Sequence, residues 1–307
     1  MTVPDLSVVV PVYNEEKVLK EFHARLEQVL VGMKITGEIL YVNDGSKDAS
    51  EKMLSELRRA DPRVRVLSFT RNFGHQIAVK AGLDHAKGQA TVIIDADLQD
   101  PPELIPELWA RWKNGYDVVY AVRERRDGES FFKKFTAEAY YRLIDSIASV
   151  DIPRNTGDFR LLSRQAVDVL KAVKEKNPYL RGLVAWTGFK SIGVPMNRQP
   201  RFAGKTKYSL QKMLILAWNG ITHFSFMPLQ LATWAGAFFI FFSCSLFVLA
   251  LLGAAHTGAS DMRAVIACVL FVGGIQLLCM GILGAYLAQV YDQARPRPLY
   301  VLKKEEV

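Results

Sequence analysis

Hydrophobic and polar positions along the chain follow two regimes. From Leu6 to about Pro200, short β-branched runs alternate with stretches whose apolar residues recur at helical spacing. Ser7 to Val12 predicts a first strand. Val18, Leu19, Phe22, Leu26, Val29 and Leu30 then mark one face of a helix within Glu15 to Val31. Further strands are expected at Ile39 to Val42, Val64 to Phe69 and Thr91 to Asp95, separated by helices over Ala49 to Ala60 and Gln76 to Ala86. This alternation implies an α/β domain with a mostly parallel sheet covered on both faces. In such a sheet, ligands collect beyond the carboxyl ends of the strands.

The second regime is apolar throughout. Between Met213 and Tyr291 the only acidic or basic residues are Asp261 and Arg263. Residues 227–255 and 264–290 each exceed the roughly 20 residues a helix needs to cross about 30 Å of hydrocarbon. They predict a two-helix transmembrane hairpin with a short tip at His256 to Arg263. Tyr208 to Phe226, inside residues 205–226, mixes apolar side chains with Lys212, Trp218 and His223 and predicts an amphipathic interfacial helix before Pro228 turns the chain. Lys205, Lys207 and Lys212 precede the first span, and Arg295, Arg297, Lys303 and Lys304 follow the second, so both termini are expected in the cytoplasm. The expected organisation is a soluble domain at 1–204, the interfacial helix at 205–226, spans at 227–255 and 264–290, and a cytoplasmic tail at 291–307. Gly273, Gly274, Gly281 and Gly284 would let a second helix approach closely, which favours a homo-oligomer.

Composition sharpens the picture. Of 307 residues, 50% are hydrophobic and 23% charged, which argues against disorder. The net charge of +8 suits an anionic membrane face or a phosphate-bearing substrate, and no nucleic-acid motif accompanies it. Cys244, Cys268 and Cys279 all lie in the apolar region without CxxC spacing, so neither a zinc site nor a disulfide framework is expected. MTVPDLSVVVPVYNEE reads as a first strand better than as a signal peptide, having Asp5 and no basic leader. PVYNEE stands where a dinucleotide-binding chain would carry GxGxxG, and neither GxxxxGK[ST] nor GxSxG occurs.

The fourth strand carries the chemistry. VIIDADLQDPPE, Val92 to Glu103, runs from an apolar strand directly into carboxylates. Asp95 and Asp97 are two apart and on an ideal strand would face the same way. Two like charges held together call for a cation, and a hard divalent ion such as Mg2+ or Mn2+, bound also by phosphate oxygens, answers that need. Such an ion suits a leaving group rich in negative charge, as in glycosyl transfer from a nucleotide sugar. Arg123, Arg125, Arg126, Lys133 and Lys134 are candidates for holding phosphates. His75 and His85 flank a helix and receive no chemistry, and Trp109 with Trp112 predicts packing.

VVVPVYNEE, YVNDGSKD, SFTRNFGHQIAVKAGLDHAKG, DADLQDPPE, TGDFRLLSR and RFAGKTKYS occur in that order, followed by the hairpin and RPRPLYV. Together they resemble family 2 glycosyltransferases acting on polyprenyl phosphates, most nearly bacterial bactoprenol glucosyltransferases of O-antigen (lipopolysaccharide) glucosylation, relatives of dolichyl-phosphate mannose synthase. The resemblance implies a GT-A catalytic domain at the bacterial inner membrane. Its reaction would be transfer of a hexose, glucose from UDP-glucose, onto undecaprenyl phosphate with inversion. It places Pro11, Tyr13, Glu15, Asp44 and Asp95 around the nucleotide sugar, and Asp95, Asp97 and Gln99 around the metal. Asp97, Asp158 and Arg160 fall at the reacting centre, and Arg123, Lys134, Arg201 and Lys207 near the phosphates of donor and lipid. It also implies membrane lipids, a homo-oligomer such as a tetramer, and a flippase as partners.

A physical argument qualifies Asp158. A phosphate monoester, with its second pKa near about 6, is already largely dianionic at neutral pH and needs no base. Asp158 is therefore expected to position the donor sugar or a phosphate-binding cation. Rival readings are a transferase using GDP-mannose or a UDP-amino sugar, a processive polysaccharide synthase, and a non-catalytic membrane scaffold. The chain has neither QxxRW nor the extra spans of a synthase, and it keeps Asp95, Asp97 and Asp158, which a degenerate scaffold would have no reason to retain.

Overall fold

The computed structural model describes residues 3–123, 156–176, 178–196 and 262–303, with short helical pieces between 229 and 245. These residues form two compact units, one holding those up to 123, those from 156 to 196 and 297–303, the other the apolar residues from 229 to 296.

The first unit is built on a seven-stranded sheet in the order β3-β2-β1-β4-β6-β5-β7. Its strands are β1 (Leu6–Val12), β2 (Gly37–Asn43), β3 (Val64–Ser68), β4 (Ala90–Ile93), β5 (Val118–Arg123), β6 (Thr156–Ser163) and β7 (Ser191–Met196). β1, LSVVVPV, is buried along its whole length because neighbours cover both edges and helices both faces. The helices are α1 (Leu19–Met33), α2 (Ser50–Ala60), α3 (His75–His85), α4 (Ile105–Lys113), α5 (Arg164–Ala172) and α6 (Leu180–Trp186). One core gathers Phe22, Leu26, Tyr41 and Phe159, with Trp109 and Trp112 packed against it, and the opposite face packs Val79, Leu83, Ile93 and Leu170.

β6 alone runs against the other strands, antiparallel to both β4 and β5. Its first residues therefore lie at the edge where β1 to β4 end. The register pairs Ile93 with Arg160, so two residues further on Asp95 comes level with Asp158. Two expected boundaries shift. The first helix starts at Leu19 because Asn14 takes a left-handed turn (φ 58°), its Oδ1 accepting from Lys47 N at 2.8 Å. β4 stops at Ile93, so Asp95 and Asp97 stand on the turn that follows, where the alternation of a strand no longer governs them.

In the second unit, α7 (Met262–Ala294) contains the expected 264–290 span. Its stretch Phe271–Ala294 is long and apolar enough to cross a membrane. Val269, Phe271, Leu277, Leu278, Met280, Leu283 and Leu287 are all exposed on it among the described residues. Helical pieces at 232–234, 236–239 and 241–242 fall within the other expected span, and Phe239 meets Phe271 edge to face at 5.4 Å. The rest of that span, most of the hairpin tip and the 205–226 helix lie outside the described residues.

Candidate active site

The ends of β1, β2 and β4 and the head of α3 line one cleft of about 130 Å³. Pro11, Val12, Tyr13 and Glu15 come from the end of β1, Asp44 from β2, His75 from the head of α3, and Asp95, Ala96 and Asp97 from the turn after β4. The structure thus brings together Pro11, Tyr13, Glu15, Asp44, Asp95 and Asp97, all singled out from sequence. Tyr13 keeps its ring exposed at the rim.

Asp44 is buried and committed. Its carboxylate accepts from Phe73 N at 2.7 Å, from Gly74 N at 3.0 Å and from Asn72 Nδ2 at 2.9 Å. It therefore fixes the loop between β3 and α3, and that loop presents His75. Burial pushes the Asp44 carboxyl up, against the pull of those hydrogen bonds.

His75 Nε2 lies 3.2 Å from Asp158 Oδ2 and 3.5 Å from Asp95 Oδ1. Facing two carboxylate oxygens, that nitrogen must carry a proton and donate. Burial opposes the charged ring, but the bond to Asp158 and the fields of Asp95 and Asp158 raise the imidazolium to about 9. Asp158 gathers further donors, Gln76 Nε2 at 3.2 Å and Arg181 Nε at 2.8 Å, and pairs in charge with Arg160 Nη2 at 3.9 Å. Burial alone would raise its carboxyl; this ring of donors holds it far below the ordinary carboxylate range. An acid so well satisfied is a poor proton acceptor.

Asp95 is the counterpart. Burial first, then the charges of Asp158 and Asp97, push its carboxyl up, and His75 only partly relieves it. Among the described residues its buried Oδ1 accepts no hydrogen bond, and His75 Nε2 approaches it only to 3.5 Å. A buried carboxylate oxygen short of donors beside a second carboxylate is a seat for a cation, and hard oxygen ligands suit Mg2+ or Mn2+. Among the described residues no three His, Cys, Asp or Glu side chains form a ready ligand set. Gln99 enters through its backbone, its N–H donating to Asp97 Oδ1 at 3.1 Å.

The remaining candidates divide. Arg160 is buried and donates to Gly157 O at 2.8 Å, which supports Asp158 from behind. Arg123 ends β5 with its guanidinium over Gly157, where a Cβ would come 2.8 Å from Nη2. Lys134, Arg201 and Lys207 lie outside the described residues, as do Arg125, Arg126 and Lys133.

Comparison with known proteins agrees with this architecture. Residues 7–170 match the family model described as glycosyl transferase family 2. The chain is 50% identical over 303 residues to the glycosyltransferase YkcC of Bacillus subtilis, covering 97% of this chain and 93% of that one. It is 39% identical over 306 residues to the bactoprenol glucosyl transferase of Shigella phage SfV, covering 98% and 99% respectively. The chain belongs to glycosyl transferase family 2. Family membership and the observed sheet together bear out the expected GT-A fold, and the enzyme is a glycosyltransferase.

Sequence reading passed over three residues of this family 2 site: His75, Gln76 and Arg181. The signal for the first two was present, since they follow the third strand at the carboxyl edge where ligands collect. Arg181 had no such signal. It reaches Asp158 from α6, 23 residues further along the chain.

Proposed function

We propose that the enzyme transfers a hexose, glucose from UDP-glucose, onto undecaprenyl phosphate with inversion, giving a lipid-phosphate-linked monosaccharide for glycans of the cell envelope. One observation carries this reading. Within a cleft at the carboxyl edge of the sheet, His75 stands between Asp95, whose Oδ1 makes no hydrogen bond among the described residues, and Asp158, which lies behind it and is already held by several donors. The first asks for a cation and the second for nothing more, so the site is equipped to stabilise a departing diphosphate and to hold a sugar, without providing a base.

Asp95 and Asp97 would hold Mg2+ or Mn2+, whose chemistry when bound is to offset the negative charge that grows on the diphosphate as the glycosidic bond breaks. Tyr13, exposed at the rim, offers a face to the nucleobase. Asp158, locked by Arg181, Gln76 and His75, would position the donor sugar through the donors it fixes, of which His75 lines the cleft. The acceptor phosphate attacks as the dianion it already is. Arg123, Lys134, Arg201 and Lys207 would steer the two phosphate groups, and the apolar hairpin would keep the site at the cytoplasmic face of the bacterial inner membrane. A tetramer and a flippase for the product complete the proposal.

Membranes containing the enzyme, incubated with labelled UDP-sugars and GDP-mannose, undecaprenyl phosphate and Mg2+ or Mn2+, should yield a lipid-linked monosaccharide from UDP-glucose. A long polymer would point to a processive synthase, no product with any donor to a scaffold, and preference for another nucleotide sugar would revise the donor.

A further inference from the structure

The segment after α7 packs into the catalytic unit. β3 is an edge strand of the sheet, and residues 299–303 pair with Ser68–Thr70 at its end. Thr70 N donates to Val301 O at 3.0 Å, Lys303 N donates to Ser68 O at 2.8 Å, and Phe69 pairs with Leu302 in an antiparallel bridge. Leu299, Tyr300 and Leu302 join the core that contains Phe69 and Ile77. Covering an edge strand would explain the pairing alone. The side chains go further.

The Tyr300 ring stacks on Phe69 at 5.2 Å and 19°, and Phe69 meets Phe73 edge to face at 5.5 Å and 84°. Phe73 is the residue whose N–H Asp44 holds, and two residues later stands His75. Tyr300 Oη also donates to Asp84 Oδ2 at 3.4 Å, near the far end of the helix that His75 begins. The loop carrying His75 is thus gripped from two sides, by the Asp44 carboxylate and by a file of rings that starts in this segment.

We propose that Leu299–Lys303 is a positioning strap: Tyr300 and Leu302, which line no part of the cleft, set the turnover of the enzyme by holding the Phe69–His75 loop so that His75 meets Asp158. The strap follows α7 after only Arg295–Pro298, so the segment that grips the loop is covalently continuous with the apolar helix. The turnover arm of the test rests on the proposed transfer reaction; the structural arm does not.

Full-length enzyme in detergent is compared with its Tyr300→Ala, Tyr300→Phe and Leu302→Asp variants by amide hydrogen exchange and by transfer from labelled UDP-glucose to undecaprenyl phosphate. Tyr300→Ala and Leu302→Asp should lower kcat about tenfold, the size of coupling carried through packed elements. The donor KM should change little, and exchange should accelerate in residues 69–76 with β1 and β4 unaffected. Tyr300→Phe keeps the stack and should restore both readouts. Undiminished kcat would reduce the strap to an edge cover, and exchange rising evenly across the sheet would make it a general stabiliser; either overturns the proposal. If wild-type enzyme makes no lipid-linked sugar, the proposed reaction fails. The strap is then judged by exchange, where confinement to 69–76 supports it and an even rise refutes it.

Discussion

His75 Nε2 donates to Asp158 Oδ2 across 3.2 Å, joining the head of α3 to the start of a strand 83 residues away in sequence. The contact exists because β6 runs against its neighbours and enters the sheet at the edge where α3 begins. Removing the imidazole leaves Asp158 with its arginines but without the donor that faces the cleft. His75→Ala should therefore lower kcat about ten- to a hundredfold, the scale of a misplaced reacting geometry, with thermal stability little changed. His75→Gln, which can still donate, should recover part of the loss. Equal kcat in wild type and His75→Ala would remove His75 from the reaction.

Asp95 predicts an opposition between stability and function. With no cation present, its buried charge is disfavoured by desolvation and by Asp97 and Asp158. Asp95→Asn should thus leave metal-free protein as stable as wild type or more so, by about 1 kcal/mol. The same change should abolish tight Mn2+ binding, followed by paramagnetic resonance of the ion, and cost on the order of a hundredfold in turnover. Chelation should silence the wild type. Unaltered Mn2+ binding in the variant would move the ion elsewhere.

Much of this was legible in the chain. The strand and helix alternation foretold the parallel half of the sheet, since β-branched runs such as LSVVVPV suit only strands buried on both faces. Asp95 and Asp97 could be nominated because they follow such a run. What could not be read was anything set by reversal or distance. No local pattern says that β6 is antiparallel, that Arg181 turns back onto Asp158, or that Tyr300 returns to Phe69. Propensity is a property of neighbours in sequence, and each of these depends on the closing of a long loop. His75 was missed for another reason. A histidine at a helix start is ordinarily a surface residue, and its partners become visible only once Asp44 has pinned the preceding loop.

A buried carboxylate far from the cleft governs acid stability. Glu38 accepts from Ser7 Oγ at 2.5 Å, Lys87 N at 2.7 Å and Arg65 Nη1 at 2.8 Å. Burial works to raise its carboxyl, but these donors outweigh it and hold the group below its ordinary value of 4.5. A depressed carboxyl contributes stability that is fully present above the unfolded-state value and is lost as pH falls through the folded-state one. The unfolding midpoint should therefore fall below about pH 4.5 more steeply in wild type than in Glu38→Gln. At neutral pH, Glu38→Ala should cost about 3 kcal/mol, because it strands three donors, one of them charged. Parallel acid profiles for wild type and Glu38→Gln would show that the network carries no linkage.

Gly45 gives a test of how tightly the cleft is assembled. It follows Asp44 with φ +65°, in the left-handed region, and a Cβ there would come 2.4 Å from the carbonyl carbon of Arg71 and 2.6 Å from Asn72 N. Both obstacles are backbone, so no rotamer change relieves them, and the strain of a side chain at positive φ adds about 1 kcal/mol. The atoms displaced belong to the loop that Asp44 and Phe73 hold in place. Gly45→Ala should therefore harm the site more than the fold. Turnover should drop at least about tenfold through the shifted loop, while thermal unfolding moves by only about the few degrees that 1–2 kcal/mol produces in a unit of this size. Gly74, although its φ is +108°, has no atom within 4 Å of such a Cβ, so Gly74→Ala carries the backbone strain without the collision. The ratio of the two losses in kcat then separates loop displacement from conformational strain. If Gly74→Ala were as damaging as Gly45→Ala, the collision with Arg71 and Asn72 would not be what sets the loss.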